Sequence, residues 1–182
     1  MEEITVLLGR ARHGDGAAWN EVVGLLYADL MRLARRAGFS GRAHTLNATA
    51  LVNECYLRMA KNGANAIHDR AHFLAIAGRA MRQILVNHAR DRIAAKRGSG
   101  AVHTTLEHLE VQADQEAQDL LEMDSALQEL AQEDERLVRV IDCRIFGGLS
   151  EAETAQALDL SLRTVQRLWS QARERLQVSL AG

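Results

Sequence analysis

Apolar residues recur at intervals of three and four along most of the chain, which is the spacing of one face of an α-helix. Glycines and small polar residues interrupt this pattern at 14–16, 38–45, 61–69, 96–105 and 147–150. The intervals predict about eight helices, near residues 2–13, 17–37, 48–61, 70–94, 116–131, 134–146, 151–158 and 162–179. No stretch is rich in strand-forming residues, so the pattern predicts an all-α protein.

The composition supports a folded helical chain. None of the 182 residues is proline, and 47% apolar with 25% charged residues argues against disorder. The length suits one ordinary domain or two small ones. Cys55 and Cys143 have no CxxC spacing, no signal peptide is evident, and no apolar run approaches the roughly 20 residues that span a bilayer. We therefore expect a cytoplasmic protein that does not enter the membrane.

The charge is segregated along the chain, although the net charge is only −2. Residues 1–98 carry 15 Lys and Arg against 8 Asp and Glu, whereas residues 99–134 carry 10 acids and no Lys or Arg. A basic field attracts nucleic acid or another polyanion. Together with the Gly-Ser-Gly run that begins at Gly98, this predicts a helical domain over 1–97, an acidic tether over 98–115 and a second helical domain over 116–182.

The C-terminal part has the sequence features of a helix-turn-helix. Ser150 and Glu153 have the spacing of a capping box, and Ser161 offers a second N-cap about three residues after the first helix ends. The outward residues of the second helix are Arg163, Thr164, Gln166 and Arg167. Arg pairs with guanine, Gln with adenine and Thr with a thymine methyl or a phosphate, which favours duplex DNA as the ligand. An ordinary helical hairpin is the alternative, and Asp159 is a departure at a turn position that suits Gly or Asn better.

A cationic stripe is predicted on the helix near 70–94. Its members fall on one helical face and are Arg79, Arg82, Gln83, Asn87 and Arg90. A solvated basic face without a ligand is the alternative interpretation. His88 falls on the apolar side, where a hydrogen-bonded core histidine is expected. We predict no metal, no cofactor and no enzymatic activity, because no Cys/His cluster, nucleophile–base pair or phosphate loop is evident.

These residues carry a resemblance to a known family. The run Arg79-Ala-Met-Arg-Gln-Ile-Leu-Val-Asn-His-Ala-Arg90 resembles the promoter-melting helix of bacterial sigma factors of the extracytoplasmic-function (ECF) type. The run Ile145-Phe-Gly-Gly-Leu-Ser-Glu-Ala-Glu-Thr-Ala-Gln-Ala-Leu158 resembles the start of their last domain. The similarity covers nearly the whole chain in the family's order. It implies an alternative sigma factor, a dissociable subunit that directs core RNA polymerase to specific promoters and initiates transcription.

The resemblance also implies the sites on promoter DNA. The −35 element is implied to contact Ser161, Arg163, Thr164, Gln166 and Arg167. The −10 element is implied to bind as a single strand along Arg79, Arg82, Gln83, Asn87 and Arg90, with the loop over 62–69 holding a flipped base. The acidic tether is implied to pass through polymerase toward the RNA exit channel and to mimic nucleic acid by its charge. Cationic grooves hold strands through their phosphates, and two tethered contacts strengthen each other.

The sequence departs from the family at the surface implied to bind polymerase. Members usually carry Asp-Ala-Glu-Asp-Leu-Val-Gln-Glu there, which docks on basic residues of a helical hairpin in the largest polymerase subunit. Here the run is Asn47-Ala-Thr-Ala-Leu-Val-Asn-Glu54. The implied docking residues are Asn47, Thr49, Ala50, Asn53 and Glu54. Three acids are replaced, so we expect the unmodified chain to bind polymerase poorly.

Thr49 suggests a switch at this surface. It falls in the first turn of a predicted helix, where a phosphate of about −1.5 to −2 charge is favoured by the helix dipole. We hypothesise that a Ser/Thr kinase activates the factor at Thr49, as in the subgroup that lacks the acidic motif; a plain helix-start threonine is the alternative. Two other functions stay open at this point, a helix-turn-helix regulator that binds duplex DNA without polymerase and a helical adaptor. An anti-sigma partner also stays open.

Overall fold

The computed structural model of the chain describes residues 2–37, 47–62, 67–98 and 107–181. These parts form helices α1 (Glu2–Arg12), α2 (Gly16–Leu25), α3 (Tyr27–Ala37), α4 (Ala48–Asn62), α5 (Arg70–Gly98), α6 (Glu107–Ile141), a π-helical turn (Asp142–Phe146), α7 (Glu151–Leu158) and α8 (Leu162–Ala181). No strand occurs in the described ranges. The predicted all-α class is confirmed.

Helices α1–α5 form the first module around a core of long apolar side chains. The largest fully buried ones are Leu8, Val22, Leu26, Leu30, Leu51, Val52, Phe73, Met81 and Val86. Trp19 of α2 packs against Phe73 of α5, with ring centroids 5.7 Å apart. The single helix predicted over 17–37 is wrong, because the chain turns at Leu26, which ends α2 and is itself buried. Gly24 in the last turn of α2 weakens helix propensity there.

Helix α6 begins at Glu107, well before the start predicted at residue 116. The second half of the predicted tether is therefore helical, and residues 99–106 lie outside the described ranges. Two causes are visible. Ala113, Ala117 and Leu120 are buried on one side, which gives this segment an apolar stripe, and Gln–acid pairs four residues apart support the outer face. The helix breaks at Asp134 (φ −157°, ψ 105°), which is the first residue of the second helix predicted for this segment.

The end of α6, the π-helical turn, α7 and α8 form the second module. Its own apolar cluster contains Leu127, Leu130, Leu137, Val140, Ile141, Phe146, Leu168 and Ala172. Cys143 and Leu149, however, belong to the same buried cluster as the core of the first module. Both thiols are buried and unpaired, and burial raises the pKa of Cys55 and Cys143 to about 12. The two modules are thus packed together rather than separated.

Helix α5 is the element on which the second module is seated; it contacts α6, the π-helical turn and α7. Gly78 permits the closest approach, because a Cβ placed there would lie 2.5 Å from the Gly147 nitrogen. Polar links flank this point: Arg70 Nη1 donates to Glu153 Oε1 at 3.2 Å, and Gln156 Nε2 donates to Asp69 Oδ2 at 3.0 Å. We call this α5-centred contact the seam.

Acid is expected to weaken the fold through His72, which lines a cavity at the seam. Burial first, and then the charges of His68 and Arg139, lower the pKa of His72 against the opposing effect of Asp69. The folded chain therefore binds fewer protons there than the unfolded chain, and the stability present above pH 6.5 is lost as the pH falls. Urea denaturation at pH 7.5 and 5.5 should show a larger loss for wild type than for His72→Gln.

The matched control for this pH effect is His13→Gln, which removes an exposed histidine at the end of α1. This variant should keep the wild-type dependence on pH. Equal pH dependence of wild type and His72→Gln would contradict the assignment of the acid effect to His72.

Candidate nucleic-acid interface

Helix α7 begins with the predicted capping box, which is confirmed. The Glu153 N–H donates to Ser150 Oγ at 3.2 Å, and the Ser150 N–H donates to Glu153 Oε2 at 2.8 Å. That bond to the Ser150 N–H lowers the pKa of Glu153. The helix ends at its C-cap, Asp159, which adopts the left-handed conformation (φ 52°, ψ 49°) at the turn. Gly and Asn adopt this conformation more easily, but Asp tolerates it. The short turn fixes α8 against α7.

Helix α8 exposes the face predicted to read DNA. Arg163, Gln166 and Arg167 are exposed and share one side, while Val165 and Leu168 are buried on the other. Ser161 is the N-cap: its Oγ accepts the Thr164 N–H at 3.1 Å and lies 2.8 Å from the Thr164 hydroxyl. Thr164 is consequently half-buried. This face could enter a major groove with its exposed arginines directed at base edges, once Arg167 leaves its 3.4 Å contact with Gln171 Oε1.

The cationic stripe on α5 is not a continuous exposed surface. Arg79 and Asn87 are exposed and Gln83 is half-buried. Arg82 is only 7% exposed, and Arg90 is exposed but forms an ion pair. In the packed chain the second module covers the centre of the predicted stripe, and DNA binding by these residues stays a prediction.

Arg82 is held by two buried carboxylates of the second module. Its Nη1 donates to Asp124 Oδ1 at 2.8 Å, while its Nε and Nη2 donate to the two oxygens of Asp142 at 2.8 and 3.2 Å. This forked pairing is the geometry that guanidinium groups also use on phosphates. Arg90 Nη2 donates to the second oxygen of Asp124 at 3.0 Å. Burial raises the pKa of Asp142, although Arg82 opposes that shift.

A third carboxylate continues the pattern toward the end of α5. Asp114 accepts from Arg92 Nε at 2.8 Å and from Lys96 Nζ at 2.5 Å, and these bonds lower its pKa. We call Asp114, Asp124 and Asp142 the aspartate ladder. The segregation of acids into 99–134 and of cations into 1–98 is the sequence signal for the pairs of Asp114 and Asp124. Asp142 lies outside that acidic segment, and helical periodicity does not show which distant segments pack together, so the geometry could not be read from the sequence.

Helix α4 presents the residues predicted to bind polymerase. Asn47 caps the helix, since its Oδ1 accepts the Ala50 N–H at 2.8 Å. Thr49 and Asn53 are exposed, and Ala50 is half-buried. Glu54 Oε1 and Oε2 both lie 3.2 Å from His88 Nε2.

The exposure of His88 corrects the expectation for this residue of α5. The side chain of His88 is 40% exposed, so it is not a core histidine, although it is hydrogen-bonded as expected.

Four of the eight residues in the loop predicted to hold a flipped base, 63–66, lie outside the described ranges.

The described residues contain one close pair of histidines. His68 and His72, four residues apart on the chain, bring their Nδ1 atoms within 2.9 Å, a pair that the sequence analysis missed. No group of three or more His, Cys, Asp or Glu in the described ranges is arranged to hold a metal ion. No described helix combines the length and the apolar character needed to cross a membrane.

Comparison with known proteins identifies the family. A family model described as "ECF sigma factor" matches residues 1–182. The chain belongs to the ECF sigma factors. It is thus an alternative sigma factor that directs RNA polymerase to promoters, which decides against a regulator that acts without polymerase and against an adaptor. ECF sigma factors are transcription initiation factors rather than enzymes. No curated protein matches this chain.

Proposed function

We propose that this ECF sigma factor reads the −35 element as duplex with α8, captures the −10 element as single strand along α5, and docks on polymerase through α4. In this proposal the residues up to 97 form the melting domain and the C-terminal helices form the duplex-reading domain. The observation that carries the proposal is the exposed face of α8 with Arg163 and Arg167, together with the N-capped starts of α7 and α8.

The −35 contacts rest on the geometry of α8. Arg163, Gln166 and Arg167 occupy i, i+3 and i+4 and are exposed, so all three can face the same groove. Gln166 Nε2 donates to Glu151 at 3.0 Å, a surface contact that a base edge can replace. Ser161 and Thr164 are bonded to each other in the cap, so they suit phosphate contacts at the helix start.

Arg163→Ala should lower transcription from the cognate promoter about tenfold or more, because one base-reading contact is worth about 1–3 kcal/mol. The measurement is run-off transcription with core polymerase on promoters selected from a library. Arg175→Ala is the matched control; it removes an exposed arginine near the end of α8 that pairs with Glu133 at 3.4 Å. Equal losses for the two variants would show that only charge, and not base reading, matters at Arg163.

The residues of the proposed −10 surface differ in whether they are exposed or already paired with acids in the packed chain. Arg79 and Asn87 are exposed in the packed chain, whereas Arg82 and Arg90 are bonded to the aspartate ladder. Phosphates compete well for guanidinium groups, and a cationic rod with polar side chains suits a displaced strand. We propose that all five stripe residues contact the displaced −10 strand in the promoter complex.

Docking on polymerase is proposed to depend on phosphorylation of Thr49 by a Ser/Thr kinase. Thr49 lies two residues after the Asn47 cap, it is exposed, and no acid occupies the first turn of α4. A phosphate there would be stabilised by the helix dipole and by hydrogen bonds from backbone N–H groups at the helix start. It would also supply the missing negative charge.

Transcription tests the whole proposal. Core polymerase with kinase-treated protein should initiate on a subset of promoters from a library, and untreated protein should initiate weakly. Absence of initiation with core polymerase in every modification state would overturn the proposed function.

A further inference from the structure

The DNA-melting face of α5 is covered by the chain's own acids. The three carboxylates of the aspartate ladder bond four cations of α5, namely Arg82, Arg90, Arg92 and Lys96. The acids come from α6 and the π-helical turn, which follow α5 along the same chain. The contact is therefore intramolecular, and it pairs the same groups that a DNA backbone would need.

We propose that the aspartate ladder is an internal substitute for DNA phosphates that keeps the free factor closed, so that α5 binds single-stranded DNA only after the second module has left the seam. This inference rests on the proposed role of the α5 stripe. The inference adds that the aspartate ladder occupies the stripe when polymerase and DNA are absent.

Mutual exclusion follows from the bonds of Arg82. Three bonds from its guanidinium go to Asp124 and Asp142, and the side chain is almost fully buried. A DNA strand cannot reach this group while both carboxylates are in place. Arg90 shares Asp124, so one displacement frees two cations of the stripe.

The seam has the character of a reversible contact. A cavity of about 360 Å³ lies beside Arg82 and is lined by residues of both modules, among them Arg79, Gln83, Asp124 and Arg139. Ion pairs flank the contact, while Cys143, Leu149 and Ala157 join the apolar cluster of the first module, so the seam has the mixed polar and apolar character of inter-domain contacts that can move. The exposed Thr49 and Asn53 of α4 lie outside the cavity lining, so polymerase can meet this surface while the seam is closed.

Gly78 offers a way to open the seam without changing any DNA-contacting or acidic residue. A Cβ at this position would lie 2.5–2.8 Å from backbone atoms of Phe146 and Gly147, which is too close for the packed arrangement. Alanine also favours helix over glycine, so Gly78→Ala should preserve α5. Gly24→Ala is the matched control, since its Cβ would meet nothing within 4 Å.

The experiment uses the full chain and fluorescent oligo(dT) at low salt, with small-angle X-ray scattering to report separation of the modules. Gly78→Ala should expand the chain and raise its affinity for oligo(dT) at least tenfold, because the apparent dissociation constant scales inversely with the fraction of binding-competent molecules. Gly24→Ala should match wild type in both measurements. Circular dichroism verifies that each variant remains helical.

A second variant reaches the same state by another route. Asp124→Asn with Asp142→Asn keeps the shapes but leaves the charge of Arg82 uncompensated, so it should also expand the chain and raise oligo(dT) affinity. The inference is overturned if wild type is already expanded, if both altered chains stay compact, or if an expanded chain binds oligo(dT) no better than wild type.

Arg79→Ala separates this inference from the proposed function. Combined with Gly78→Ala, it should abolish most of the gain in oligo(dT) affinity. If Arg79→Ala instead weakens binding equally in closed and expanded chains, α5 binds DNA without release, and the closure fails while the −10 surface stands. If the expanded chain gains affinity that Arg79→Ala leaves unchanged, the −10 surface itself is wrong.

Discussion

Replacing Arg82 by alanine is expected to lower the free energy of unfolding by about 2–3 kcal/mol, because Asp124 and Asp142 then lose their main cationic partner in a buried site. Breaking a buried ion pair costs about 3–5 kcal/mol in general. Here the loss is capped, since separation of the modules lets both carboxylates reach water. Urea denaturation followed by circular dichroism measures the change.

A mutant cycle assigns that loss to the pairing. In a chain that already carries Asp124→Asn and Asp142→Asn, the further change Arg82→Ala should cost less than about 1 kcal/mol, because no buried charge is left without a partner. An equal loss in both backgrounds would show that Arg82 stabilises the fold through other contacts, for instance of its guanidinium Cζ, which lies 5.7 Å from the centroid of the Phe146 ring, and not through the carboxylates.

Phosphorylation of Thr49 is expected to raise the affinity for core polymerase about 10- to 100-fold. A phosphate supplies one to three charge-assisted hydrogen bonds to a basic partner surface, and each 1.4 kcal/mol is a tenfold change in the dissociation constant. The exposed position of Thr49 in the first turn of α4 makes the group available without any rearrangement. Fluorescence titration of core polymerase with purified phosphorylated and unmodified chains measures the effect.

The control for this experiment separates the site from the treatment. Thr49→Ala should bind like the unmodified chain before and after exposure to the kinase, while Thr5→Ala, at an exposed position of α1, should respond like wild type. Equal affinity of wild type in both phosphorylation states would remove the switch and leave Thr49 as an ordinary helix-start residue.

Local features of this fold were predictable because neighbouring residues determine them. Ser150 and Glu153 satisfy each other's backbone N–H groups whatever surrounds them, so their spacing alone located the start of α7. The exposed face of α8 followed from helical periodicity in the same way. The turn at Leu26 was not predictable, since the apolar pattern continues through it and tertiary packing decides the break.

The burial and ion pairing of Arg82 could not be predicted from the sequence, for a different reason. Periodicity placed it correctly on a face with Arg79, Gln83 and Arg90, but periodicity does not distinguish a solvated face from one covered by a distant segment. Asp142, the partner that receives two of its bonds, lies 60 residues further along the chain. Only the fold brings these charges together, and the candidate −10 surface therefore changed more than the −35 surface did.

The burial of Arg82 has a consequence for gene dosage. In the proposed closed state the strand-capturing groups of the unassembled factor are satisfied internally, so it should not hold a melted −10 element. Overproduction of the chain without additional core enzyme should thus leave single-stranded promoter DNA unoccupied. Output from the regulated genes should then follow the number of complete holoenzymes and not the total pool of the protein.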